Sequence, residues 1–164
     1  MKTLRIIVLF CTAIAIVSCA TEEEKMTSYM TGKWESSYLK LELPTFQKKD
    51  TLIEYDIDFQ NPDDPRAKQQ GKSYSLHKAD GTFETWQEKN GRPTGKKGTG
   101  TWRVTKDSLY YSFNQNTASV EVPFGLAKIE DGYAMTGLQD RDGDGEKDDT
   151  FYLETVRVPY EPEQ

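Results

Sequence analysis

The sequence predicts an all-β chain, an antiparallel up-and-down barrel of about eight or nine strands. Three observations carry that reading. From Thr31 onward the apolar residues recur with period two, no stretch of ten residues keeps a convincing 3.6 period, and turn-forming pairs punctuate the chain at short intervals. Consecutive strands with short connections favour an antiparallel meander over a sheet that needs helical crossovers, and closing the meander removes both exposed edges. A two-sheet sandwich satisfies the same periodicity and stays open at this stage.

The first segment is a leader. Lys2 and Arg5 make a positive start, and Ile6 to Val17 form an apolar run too short to span a bilayer. Ile16-Val17-Ser18-Cys19 resembles the bacterial lipobox. That resemblance implies cleavage before Cys19, a diacylglycerol on its sulfur, an acylated amino group and a membrane-anchored mature chain. Several acyl chains, each burying about 0.8 kcal/mol per CH2, hold a soluble domain at a membrane surface. An ordinary secretory signal cleaved elsewhere is the alternative. The other cysteine, Cys11, leaves with the leader, so Cys19 has no disulfide partner and the core must hold the domain together.

Residues 1–18 carry two basic and no acidic side chains, so their removal takes the net charge from −6 to −8. Such a surface is repelled by phosphate backbones and argues against nucleic acid as a partner. Behind Cys19, Ala20-Thr21-Glu22-Glu23-Glu24-Lys25 is polar and acidic. Residues 19–30 read as the lipidated cysteine and a disordered tether. The acidic run also resembles the surface-export signal of lipoproteins in Bacteroidetes-type bacteria, which implies an outer-membrane lipoprotein at the periplasmic face or the cell surface. Residues 31–158 are then the barrel and 159–164 a C-terminal tail.

The cleanest strand is Ile53 to Phe59, with Ile53, Tyr55, Ile57 and Phe59 on one face and three carboxylates on the other. Further strands are expected over Trp34–Leu43, Ser73–Lys78, Thr82–Glu88, Gly100–Thr105, Leu109–Phe113, Ser119–Ile129, Tyr133–Leu138 and Thr150–Val158. Asp80-Gly81, Asn90-Gly91 and Asp131-Gly132 offer the positive φ angles of tight hairpins. Gln60 to Lys72, with two prolines and a glycine, is the one long connection, a loop or a single helical turn over a barrel mouth.

Gly32-Lys33-Trp34, Asp80-Gly81-Thr82-Phe83 and Gly100-Thr101-Trp102 resemble the Gly-x-Trp signature and the turn-strand phrases of lipocalins and bacterial lipocalin-like lipoproteins. The resemblance implies a lipocalin-like barrel whose last-strand arginine, here Arg157, packs on the first-strand tryptophan, here Trp34, with Gly32 beside them. Cation–π attraction is the physical reason for such a pair. No segment matches the second lipocalin motif, of the Thr-Asp-Tyr type.

An eight-stranded barrel has room for its own side chains or for one small ligand. Inward candidates include Phe83, Leu109, Val120, Val122 and Phe124, and the ligand-binding candidates are Tyr55, Ile57, Phe59, Tyr111 and Phe113. Asp140-Arg141-Asp142-Gly143-Asp144-Gly145-Glu146-Lys147-Asp148-Asp149 resembles the Asp-x-Asp-x-Asp-Gly loops that bind calcium. Asp140, Asp142, Asp144 and Asp148 with the Glu146 carbonyl are the candidate ligands of a weak, structural Ca2+, whereas Phe151 stands where an EF-hand needs a bidentate Glu. A solvated acidic hairpin loop is the alternative. His77 is the single histidine, no nucleophile motif accompanies it, and a surface strand position is expected for it, so catalysis is not expected. The function classes left are a carrier of a small apolar ligand, or a filled barrel that meets an envelope partner.

Overall fold

The computed structural model describes residues 20–49, 51–115 and 118–160. Cys19 and the end of the tail, 161–164, lie outside the described residues. The described chain begins with a helix, α1 (Glu22–Met30), followed by β1 (Gly32–Leu43), a 3-10 turn at Phe46–Lys48, β2 (Ile53–Asp58) and a short helix α2 (Pro65–Gln70). Seven strands complete it: β3 (Lys72–His77), β4 (Thr82–Lys89), β5 (Arg92–Val104), β6 (Ser108–Gln115), β7 (Ala118–Lys128), β8 (Gly132–Gln139) and β9 (Asp149–Val158).

All pairings are antiparallel, and β1 closes on β9, so that β1, β3, β4, β5, β6, β7, β8 and β9 form an eight-stranded barrel. β2 is the extra strand and breaks the simple up-and-down order. The first part of β1, Gly32–Glu35, pairs with β3, and the second part, Tyr38–Leu43, pairs with β2 along the same edge. A register shift between Ser36 and Tyr38 bends β1 at the changeover. α2 covers the outer edge of β2, where Arg66 donates to the Asp56 carbonyl at 2.8 Å on the side of the strand that has no neighbour.

The antiparallel order fixes two ends. The 78–81, 105–107 and 129–131 turns and α1 lie at the base, and the connections after β1, β2, β4 and β8 lie at the mouth. Asn90 and Gly91 both take positive φ, as a tight hairpin requires. Gly132 does not; its glycine is required because a Cβ there would sit 1.7 Å from the Thr155 carbonyl oxygen. The core is one cluster centred on Trp34, Leu39, Ile57, Phe83, Leu109 and Tyr133. Among the described residues no helix is long and apolar enough to cross a membrane.

The expected disordered tether is corrected over 22–30, which is helical and docked. Thr21 and Glu24 form a reciprocal capping box at its start, at 3.1 and 2.7 Å. Met30 is fully buried, and Met26 and Tyr29 pack on the core. The carbonyls that a helix leaves unpaired at its C-terminus are taken by the barrel. The Met30 carbonyl accepts from Trp34 Nε1 at 2.7 Å and faces His77, while Arg157 donates to the Tyr29 and Thr31 carbonyls. Composition marked the segment as polar, but its tertiary contacts outweigh that.

Candidate functional site: the barrel cup

Trp34 and Arg157 are register partners on β1 and β9, so both point to the same side at the base. The guanidinium lies 4.2 Å from the tryptophan ring centroid, the stacked pair that the resemblance implied. Gly32 belongs to the same arrangement. Its φ is +132°, and a Cβ would lie 2.4 Å from Arg157 Nη1, so a side chain there would displace the guanidinium from the helix carbonyls.

Above this base lies a ring of buried polar groups: Ser36, Ser75, His77, Tyr111, Tyr133 and Thr155. His77 corrects the surface position expected for it, being 1% exposed. Its Nδ1 is 3.1 Å from the Met30 carbonyl and its Nε2 is 2.6 Å from the Tyr111 hydroxyl. A carbonyl only accepts, so the proton is assigned to Nδ1, and the Tyr111 hydroxyl donates to Nε2. Tyr111 and Tyr133 bond each other and Ser75, and Tyr133 also meets Thr155. Burial pushes the His77 pKa down to about 4 and both phenols above their usual range. The whole ring is uncharged at neutral pH. No buried side-chain nitrogen or oxygen among the described residues is left without a partner.

Between this floor and the mouth is a cavity of about 390 Å³. Its walls are Phe113, Phe124, Met135, Phe151 and Leu153, its floor includes Ser36, Ser75, Tyr111, Tyr133 and Thr155, and Gln87, Thr94, Lys96 and Arg141 line it toward the mouth. Its volume falls within the range of about 300 to 1,000 Å³ typical of small-molecule sites.

The structure divides the five predicted ligand-binding residues. Tyr111 and Phe113 line the cavity. Ile57 and Phe59 are buried in the packed core and do not line it, because β2 lies against the second half of β1, where Ile57 pairs with Leu39. Tyr55 and Ile57 instead border a second, more open hollow of about 340 Å³ with Arg66, Gln69 and Gln70 of α2. Val120 shares the inward face of β7 as the register partner of Phe113, but near the start of β7 it is 45% exposed.

The residues missed were the apolar wall positions Met135, Phe151 and Leu153 and those whose polarity broke the apolar pattern. On β3 the usual rule is inverted: Ser75 pairs with Trp34 and His77 with Phe83, so the polar side chains face inward, while Leu76 shares its face with Lys33 and Glu84. On β9 the alternation Phe151, Leu153, Thr155, Arg157 was readable, but Thr155 and Arg157 did not mark it as a wall.

At the mouth, the β8–β9 loop brings carboxylate oxygens of Asp140, Asp142 and Asp149 within 4.8 Å of one another, a group able to hold a cation. The predicted set is regrouped. Asp144 turns its Oδ1 to the Glu146 amide at 2.7 Å, and Asp148 accepts from the Thr45 hydroxyl at 3.0 Å, so neither joins the cluster. Asp149, the first residue of β9, takes their place. It is 2% exposed and its Oδ2 accepts from the amides of Arg141 and Asp142. Asp140 accepts from Gly143 and Gly145, at 2.8 and 3.0 Å, which winds the loop around it.

Comparison with protein-family models and with curated proteins returns no match for this chain. The functional reading therefore rests on this geometry.

Proposed function

We propose that this protein is a membrane-anchored, lipocalin-like envelope lipoprotein that binds a small apolar ligand in its barrel, by binding alone and without catalysis. One observation carries the proposal: the interior is not filled by its own side chains but keeps a cavity of about 390 Å³ with aromatic walls. A filled barrel serving only as a scaffold is the weaker reading for that reason. The anchor is Cys19, which places the domain at the outer membrane, facing the periplasm or the cell surface. The acidic loop acts as a weak, structural Ca2+ site at Asp140, Asp142 and Asp149, since hard cations take carboxylate oxygens.

The test uses a neutral, environment-sensitive naphthylamine dye. Wild-type protein binds it with a blue-shifted emission, and Met135→Trp, which fills the wall, loses most of that binding while melting at a similar temperature. Absence of binding by the wild type, or binding indifferent to Met135→Trp, refutes the carrier. The anchor is tested separately by detergent partitioning, in which Cys19→Ala moves from the membrane to the soluble fraction.

A further inference from the structure

We infer that the base of the barrel is the face held toward the anchoring membrane, so that the cup and the β8–β9 loop open away from that bilayer. This rests on the reading of Cys19 as the lipid anchor and adds the orientation that the anchored domain takes.

The first observation is how little chain separates the anchor from the docked helix. Ala20 and Thr21 alone stand between Cys19 and the first residue of α1. Three residue steps of at most about 3.6 Å each reach roughly 11 Å. α1 adds no freedom to that reach, because it is fixed to the base along its length. Met30 is fully buried at its end, and Met26 and Tyr29 pack on the core. The Tyr29 hydroxyl donates to the Gly132 carbonyl at 2.8 Å, the Lys128 ammonium sits 4.2 Å over the Tyr29 ring, and Arg157 donates to the Tyr29 and Thr31 carbonyls.

The second observation places the amino-terminal end of the helix. α1 runs from Met30, beside Trp34 and His77, toward β5. At its first residue the Glu22 carboxyl is held below its usual range by Lys25 and, more weakly, by Lys106 of the 105–107 turn. Both ends of α1 therefore lie at the base. The mouth is beyond the anchor's reach, since a ten-residue strand such as β9 rises about 33 Å and, tilted by about 40°, spans roughly 25 Å of barrel height. The turns turned toward the bilayer expose Asp80, Asp107, Glu130 and Asp131 beside Lys106, so the base rests at the headgroups and does not insert. A ligand then enters from the aqueous side that lies away from the membrane, not by lateral passage out of the bilayer.

The experiment uses the lipidated chain, purified from membranes and reconstituted on phosphatidylcholine vesicles that carry a small fraction of lipid with an acceptor dye on its headgroup. Acylation consumes the Cys19 thiol, so Lys106→Cys at the base and Leu138→Cys near the mouth, both at exposed positions, each offer one thiol to a short-range donor dye. Energy transfer to the headgroups is strong from position 106 and several-fold weaker from position 138. An insertion of about twenty Gly and Ser residues after Ala20 adds a flexible span comparable to the barrel height and brings the two signals within about two-fold of each other. Equal transfer from both positions with the natural tether, or stronger transfer from position 138, overturns the orientation while the vesicle-bound protein still supports the anchor. A chain that does not associate with vesicles at all overturns both.

Discussion

At His77 a single imidazole joins the C-terminal end of α1 to the hydroxyl floor of the cup, and its protonation state decides whether that junction holds. The neutral ring donates from Nδ1 to the Met30 carbonyl and accepts at Nε2 from Tyr111. Protonation would put a second donor against the phenol and a charge into the interior. The folded pKa of about 4 lies below the ordinary 6.5, so between those values the unfolded chain binds more protons. The stabilisation is present above about pH 6.5 and is lost as pH falls toward 4. A shift of this size is worth about 3 kcal/mol. Urea unfolding at pH 7 and pH 4 measures it: His77→Gln is less stable than wild type at pH 7, yet loses about 3 kcal/mol less on acidification. Parallel pH profiles for the two proteins would contradict the assignment. From the sequence, this histidine between Leu76 and Lys78 looked like a surface residue. Its burial follows from the face that β1 and β4 impose on β3.

At the scale of elements, α1 is a clasp on the barrel base. Its own hydrogen bonds are few, and a nine-residue helix is marginal alone, so docking supplies its stability. Arg157 is the hinge of that docking, stacked on Trp34 and donating to the Tyr29 and Thr31 carbonyls. Trp34→Ala should cost about 3 to 5 kcal/mol, the range for emptying a buried aromatic site. Arg157→Ala should cost less, and the double variant should fall short of the sum by about 0.5 to 2 kcal/mol, the scale of a cation–π contact. Hydrogen exchange separates the two roles: Arg157→Ala speeds exchange of the α1 amides while the amides of β6 and β7 stay protected. A coupling near zero with α1 unchanged would show that the pair is incidental. All nine strands were legible from period two and turn chemistry. β5 begins at Arg92, well ahead of its expected start at Gly100, because Arg92–Lys97 is exposed and carries no apolar alternation for the eye to follow.

At the scale of the molecule, the mouth gathers segments far apart in sequence, and the β8–β9 loop there joins a cation-holding cluster to Arg141. With three clustered carboxylates and no bidentate Glu at the twelfth position, Ca2+ affinity should lie at a Kd of about 10⁻⁴ to 10⁻³ M. At ten times Kd the native state gains about 1.4 kcal/mol, or roughly 3 to 6 °C for a chain of this length. Thermal melts in millimolar Ca2+ against EDTA, at matched ionic strength, read this directly. Asp140→Asn/Asp142→Asn keeps an oxygen for each turn amide and should lose the response. An equal shift with Mg2+ or Na+, or a response that survives in the double variant, would reduce the loop to a solvated turn.

The β class, the strand positions and the hairpin sites followed from the sequence by itself, because alternation and turn preference are local properties carried by neighbouring residues. The base pair of Trp34 and Arg157 was also legible, through short phrases around Gly32 that resemble a known pattern. Three matters were decided only by the tertiary structure. Closure of β1 on β9 left a cavity where the aromatics alone could have filled the space. The pairing of β1 with β3 turned Ser75 and His77 inward, against their polarity. The β8–β9 register, which pairs Gln139 with Asp149, brought Asp149 to Asp140 and Asp142 and turned Asp148 away. Each depends on which distant strands meet and in what register, and one change of register reverses every face at once.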